Sequence, residues 1–122
     1  MSDSSGFTIK DSSELERAYD KWVLVRRSLG IESFGINVVE LPPGQDIPEH
    51  DEIDRDQEEV FYVISGSPTI VIEGDKHPSG PGTFVRVDPE VRRTIVNNGD
   101  EVAAVMIMSA PRSSGYEPME WA

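Results

Sequence analysis

Glu58-Glu59-Val60-Phe61-Tyr62-Val63-Ile64-Ser65-Gly66-Ser67-Pro68-Thr69-Ile70-Val71-Ile72-Glu73-Gly74-Asp75-Lys76 is the stretch that decides the fold. Val60 to Ile64 is an apolar, β-branched and aromatic run of strand length. Ser65 to Pro68 turns it, and Thr69 to Ile72 returns. Glu73 to Lys76 is a second hairpin turn. Working toward the C-terminus, Pro78 to Gly82 forms a loop that excludes helix. Strands are expected at Phe84–Val87, Arg92–Val96 and Val102–Met108, separated by Asp88-Pro89 and by Asn97 to Asp100. The tail 111–122 reads as irregular. Toward the N-terminus, 45–58 is polar and acidic, and Pro42-Pro43-Gly44 is a firm turn. Phe34–Leu41 reads as a strand, with Phe34, Ile36 and Val38 alternating against Gly35 and Asn37. Trp22–Leu29 reads as another, broken by Gly30. The Ser13-Glu14-Leu15-Glu16 spacing predicts a short helix over about 13–20, and residues 1–11 read as a loose polar tip. Seven or eight short strands with turns every 8–12 residues are the pattern of a sandwich or barrel. The expected fold class is all-β, one domain over 1–122 with its core at about 22–110.

Composition narrows the function. The chain carries 23 acidic against 11 basic residues, a formal charge of −12. That argues against nucleic acid or an anionic membrane as partner, since both need a basic patch. The absence of Cys excludes disulfides, thiolate catalysis and Cys-bound zinc. The opening Met1 to Gly6 lacks the basic and apolar regions of a signal peptide, so a cytoplasmic location is expected. No run approaches the roughly 18 apolar residues of a membrane span.

The chemistry is concentrated between Gly44 and Gly66. Gly44 is followed by five residues and His50, and Glu59 by six residues and Gly66. Later, Gly82 precedes Pro89, Arg93 and Asn97. In these residues the chain resembles the cupin superfamily over roughly 34–108. The family's first motif is matched by Gly44, His50, Glu59 and Gly66. Gly82 and Asn97 match the second, with Pro89 one place from its expected position. The resemblance implies a double-stranded β-helix, or jelly-roll barrel, and a homodimer formed through outer sheets or an exchanged N-terminal strand. In the family, three His and one Glu bind a divalent metal. Here only His50 and Glu59 remain of that set. Glu52 keeps the second His position counted from His50, Asp54 keeps it counted back from Glu59, and Arg93 stands at the third.

Gathered in one cavity, His50, Glu52, Glu59 and Arg93 favour a site without metal. Catalytic first-row metals prefer imidazole, and one His with two carboxylates suits a harder cation such as Mn²⁺ or Mg²⁺. Arg93 cannot lose its proton. Two unit charges about 4 Å apart repel by about 4 kcal/mol at an effective dielectric of 20, and a divalent ion doubles that. Arg93 can instead pair with Glu59 or Glu52, leaving the other carboxylate to His50. The leading expectation is a small polar or anionic ligand bound by His50, Glu52, Glu59 and Arg93, with no cofactor and no assignable catalytic residue. The first alternative is an isomerase- or dioxygenase-type enzyme holding Mn, Fe, Ni or Zn through His50, Glu52 and Glu59. The second is a structural domain whose polar core satisfies itself.

Other residues have plainer readings. His77 reads as solvated, and Arg92 as a surface charge opposite Arg93. Met106 and Met108 read as core. Tyr62 is expected on the outer sheet or at a dimer contact, and Trp22 in the core or an interface. Tyr116 and Trp121 could close over a barrel end. Asp51, Asp54, Asp56 and Glu58 read as a solvated loop.

Overall fold

A computed structural model describes residues 6–122; residues 1–5, part of the expected loose tip, lie outside it. Nine strands form two facing sheets: β1 (Arg17–Ala18), β2 (Trp22–Val23), β3 (Gly35–Leu41), β4 (Gln57–Ser65), β5 (Thr69–Ile72), β6 (Asp75–Pro78), β7 (Phe84–Val87), β8 (Arg93–Val96) and β9 (Ala103–Pro111). One sheet has the order β1-β2-β3-β9-β4-β7 and the other β6-β5-β8. All pairings are antiparallel. Segment 46–50 runs antiparallel along β8, through bridges Asp46–Val96 and His50–Arg93. Pro48 has no N–H to donate, which helps explain why this segment stays irregular. The result is an all-β jelly-roll barrel, open at the end where His50 lies.

Period-two alternation fills the barrel. Val39 and Leu41 from β3, Phe61 and Val63 from β4, and Val105 from β9 face inward. They meet Ile70 and Ile95 from the other sheet and Ile47 from the segment beside β8. Asn97 is fully buried just after β8. Its amide donates to the carbonyls of Leu41 (2.8 Å) and Glu101 (2.7 Å), and its Oδ1 accepts from Gly99 N–H (2.9 Å). That satisfies a buried turn that no backbone ladder reaches.

The N-terminal quarter departs from the sequence reading. The helix expected over 13–20 is a single 3₁₀ turn, Ser12–Glu14. Its capping box is real but set by Asp11, whose carboxylate accepts from Ser13 N–H while Glu14 accepts from Asp11 N–H (2.9 Å). Leu15 is already extended. The strand expected over 22–29 is divided. β2 ends at Val23, and α1 (Val25–Leu29) follows, terminated by Gly30 in the left-handed region. The amides of Gly30 and Ile31 both return to the Arg26 carbonyl, a helix-ending arrangement that glycine permits. Alternation misled here because both faces of the stretch mix apolar and charged residues.

Met106 and Met108 are a second correction. They alternate with buried Ala103 and Val105, so they lie on the outer face, and Met108 is exposed. Tyr62 lies on that outer face too, its ring tilted against Phe84 at a centroid distance of 4.5 Å, and Phe84 is 70% exposed. His77 is exposed as expected, but within β6 rather than a turn. Tyr116 and Trp121 are also exposed.

Candidate functional site

The barrel mouth holds a cavity of about 250 Å³. Its floor is built by neighbours in register. Glu59 on β4 lies opposite Ser109 on β9, and Ser109 lies opposite Gly35 on β3. All three share the inward phase of Phe61 and Ile107. Gly35 leaves room for Ser109, whose Oγ would stand 2.6 Å from a Cβ at that position and would have to turn away. The opposite wall is His50, fixed by reciprocal backbone hydrogen bonds to Arg93 (2.8 and 3.0 Å). Glu52 follows, its N–H donating to the Pro89 carbonyl (2.9 Å). Trp22, Ile47, Phe61 and Ile107 supply apolar walls.

His50, Glu52 and Glu59 converge, their ligating atoms all within 4.8 Å of one another. His50 Nδ1 lies 2.8 Å from the Pro48 carbonyl. A carbonyl only accepts, so Nδ1 carries a hydrogen. Nε2 lies 3.1 Å from Glu52 Oε2. A lone pair facing a carboxylate is repulsive, so this contact calls for a proton or another cation.

Arg93 is fully buried and ties the two sheets together. Its Nη1 donates to Glu59 Oε1 (2.9 Å), its Nε to the Val91 carbonyl (2.9 Å) and its Nη2 to the Asp88 carbonyl (2.6 Å). It is not among the residues lining the cavity. Its side chain stands behind Glu59 and meets the cavity through that carboxylate. Burial pushes the Glu59 carboxyl above its ordinary range; Arg93 and His50 oppose the shift and Glu52 adds to it. The folded protein therefore binds this proton more tightly than the unfolded chain. Its contribution to stability is complete below the usual glutamate value and is lost as pH rises through the raised one. Glu59→Gln is expected to remove that part of the slope. Urea midpoints of both proteins, measured from acid to neutral pH, should show the difference between them moving steadily against the wild type. A parallel pair of curves would contradict the shift.

Among the alternatives for the second His position, Glu52 faces the cavity and Asp54 is exposed in a 3₁₀ turn, Ile53–Arg55. Glu49, Asp51, Asp56 and Glu58 of the loop are held by arginines. Arg92 reaches Glu49 (3.2 Å) and Asp51 (3.7 Å), Arg86 reaches Glu58 (3.3 Å), and Arg112 reaches Asp56 (2.8 Å) and Glu90 (2.5 Å). The sequence reading left Asn37 and Ser109 unassigned. Both line the cavity, and neither side chain has a hydrogen-bond partner among the described residues. The available signal was phase: Asn37 falls in step with Val39 and Leu41, an unusual place for an amide. A larger cleft of about 840 Å³ lies outside the barrel between residues 6–16 and α1. Its Arg27 and Glu16 pair with each other (3.3 Å).

The cupin domain family profile matches residues 37–109. This chain belongs to the cupin family. A cupin protein from Bacteroides fragilis is 23% identical, with a TM-score of 0.74 over 93% of this chain and 94% of that one. A cupin-superfamily sugar phosphate isomerase from Silicibacter pomeroyi is 22% identical, with a TM-score of 0.73 over 84% and 75%. A predicted oxalate decarboxylase from Thermotoga maritima is 18% identical, with a TM-score of 0.70 over 85% and 99%. At these identities the likeness establishes the fold alone. No curated protein matches the sequence. Among the described residues no helix is long and apolar enough to cross a membrane.

Proposed function

We propose that this cupin binds a small polar molecule in its cavity without a metal, using His50, Glu52 and Glu59 as the polar floor and Asn37 and Ser109 beside them. The observation that carries this reading is an open cavity where polar groups converge against apolar walls. Pairing supports the absence of metal. Arg93 already holds Glu59 at 2.9 Å, so a divalent ion there would meet a fixed positive charge with twice the repulsion felt by a monocation. Arg93 positions Glu59 and does not touch the ligand. The cavity then presents carboxylates and no free arginine or lysine, so of the polar or anionic ligands expected from the sequence it favours a polar hydrogen-bond donor.

One observation favours a second reading, a divalent metal centre. The donor set fits a hard or borderline cation: one imidazole nitrogen and two carboxylates within 4.8 Å. The Nδ1 contact with Pro48 also resembles the outer hydrogen bond that orients a metal-ligating histidine. His50, Glu52 and Glu59 would hold such an ion, which would supply Lewis-acid polarisation. Its two charges would turn the cavity positive and admit an anion.

A thermal-shift screen of polyols, amines, small acids and sugar phosphates, with EDTA and with added Mn²⁺, separates the readings. Donor ligands should raise the midpoint in EDTA, and elemental analysis should find metal well below one equivalent. Near-stoichiometric Mn, Fe, Ni or Zn that disappears in His50→Ala, with acids binding only to the loaded protein, would replace the first reading by the second. No hit under either condition would leave a structural domain with a self-satisfied polar core.

A further inference from the structure

Resting on the reading of this cavity as a small-molecule site, we propose that its ligand carries an alkylammonium group, held by Glu52 and Glu59 beside Trp22. The charged residues lining the cavity are these two glutamates and, when protonated, His50. Arg93 engages one oxygen of Glu59 only. Glu59 Oε2 has no hydrogen-bond partner among the described residues, yet no buried side-chain oxygen is left unpaired. That oxygen therefore stays open to the cavity. Glu52 uses one oxygen on His50 and keeps the other. An ammonium group has three donors and no acceptor, matching two carboxylate oxygens and the Asn37 carbonyl.

The rest of the cavity suits the other end of such a molecule. Ile47, Phe61 and Ile107 form an apolar wall for a short alkyl chain. Trp22 lines the same 250 Å³ cavity, and an indole face attracts a cation held within roughly 6 Å of it. That volume is below the usual range for drug-sized ligands, which points to a molecule of few heavy atoms. The field of the whole chain acts in the same sense, since a net charge of −12 raises the local concentration of cations and repels acids.

The test uses three probes of equal chain length, butylammonium, butanol and butyrate, titrated into the ¹⁵N-labelled full chain in EDTA-containing buffer. Butylammonium should give saturating shifts at the Trp22 indole, Asn37, Glu52 and Ser109. Its affinity should exceed that of butanol by roughly tenfold or more, and butyrate should not saturate. Glu52→Gln should bring butylammonium and butanol to within about threefold of each other. The fold of that variant is read in the same spectra; if it is lost, Trp22→Leu serves for the same comparison. Equal affinity for butanol, or a preference for butyrate, would overturn the ammonium class and leave the cavity as a site for another molecule. An intact protein whose cavity residues answer none of the three probes would overturn both.

Discussion

Arg93→Met is expected to lower the unfolding free energy by about 3–5 kcal/mol, because it strands Glu59 as an uncompensated buried charge. Arg93 is fully buried and Glu59 is 8% exposed, so water replaces the lost partner only in part. The carbonyls of Val91 and Asp88 lose their donors as well, each worth about 1 kcal/mol. The pair joins β8 to β4, so the damage falls on the contact between the two sheets. Removing both charges should behave differently. Arg93→Met with Glu59→Leu is expected to recover most of the loss, since apolar replacement of a buried ion pair is commonly neutral. Urea unfolding followed by tryptophan fluorescence measures all three proteins. A single-variant loss below about 1 kcal/mol, the size found for exposed pairs, would show that the site is wetter than its geometry implies.

Two glycines of the first motif are expected to respond very differently to alanine. Gly44 and Gly66 both have positive φ, +83° and +81°. Either substitution carries the strain of a left-handed alanine, about 1–2 kcal/mol. Around Gly44 there is open space, so Gly44→Ala should stop there. At Gly66 a Cβ would stand 2.7 Å from Ala103 Cα and 2.8 Å from the Val102 carbonyl. Those atoms are backbone of the adjoining strand and cannot rotate away. Gly66→Ala should therefore cost about 2–5 kcal/mol, with overpacking added to strain. Thermal midpoints of the two variants provide the check, and equal shifts would mean that β9 moves aside freely.

These expectations indicate what one-dimensional reading can reach. Most strands after Gly44 were legible because the β-branched and aromatic runs at Val60–Ile64, Thr69–Ile72 and Phe84–Val87 lie between strong turn residues; β6, polar Asp75–Pro78, was not, since its residues read as turn and loop. Their short-range chemistry agrees with their place in the barrel. The stretch before Gly30 was not legible. Its short strands and its helix are too brief for a periodic signal, and Gly30 suits both a strand break and a helix end. Met106 and Met108 show the same limit on a clear strand. Alternation separates two faces, but it does not say which is inside when both are apolar.

The candidate site divides along the same line. His50, Glu52, Glu59 and Arg93 could be named from spacing, and the buried pairing of Arg93 with Glu59 follows from a charge that cannot be neutralised by deprotonation. Only the tertiary structure distinguished Glu52 from Asp54, put Arg93 behind Glu59 instead of in the cavity, and brought Asn37 and Ser109 into it. Spacing counts residues along the chain. Which polar groups share a space depends on the register between strands distant in sequence, here β3 with β9 and β9 with β4. Local composition determined that this protein is a barrel of short strands; cross-strand packing decided which of its charges face the cavity and which serve to hold the others.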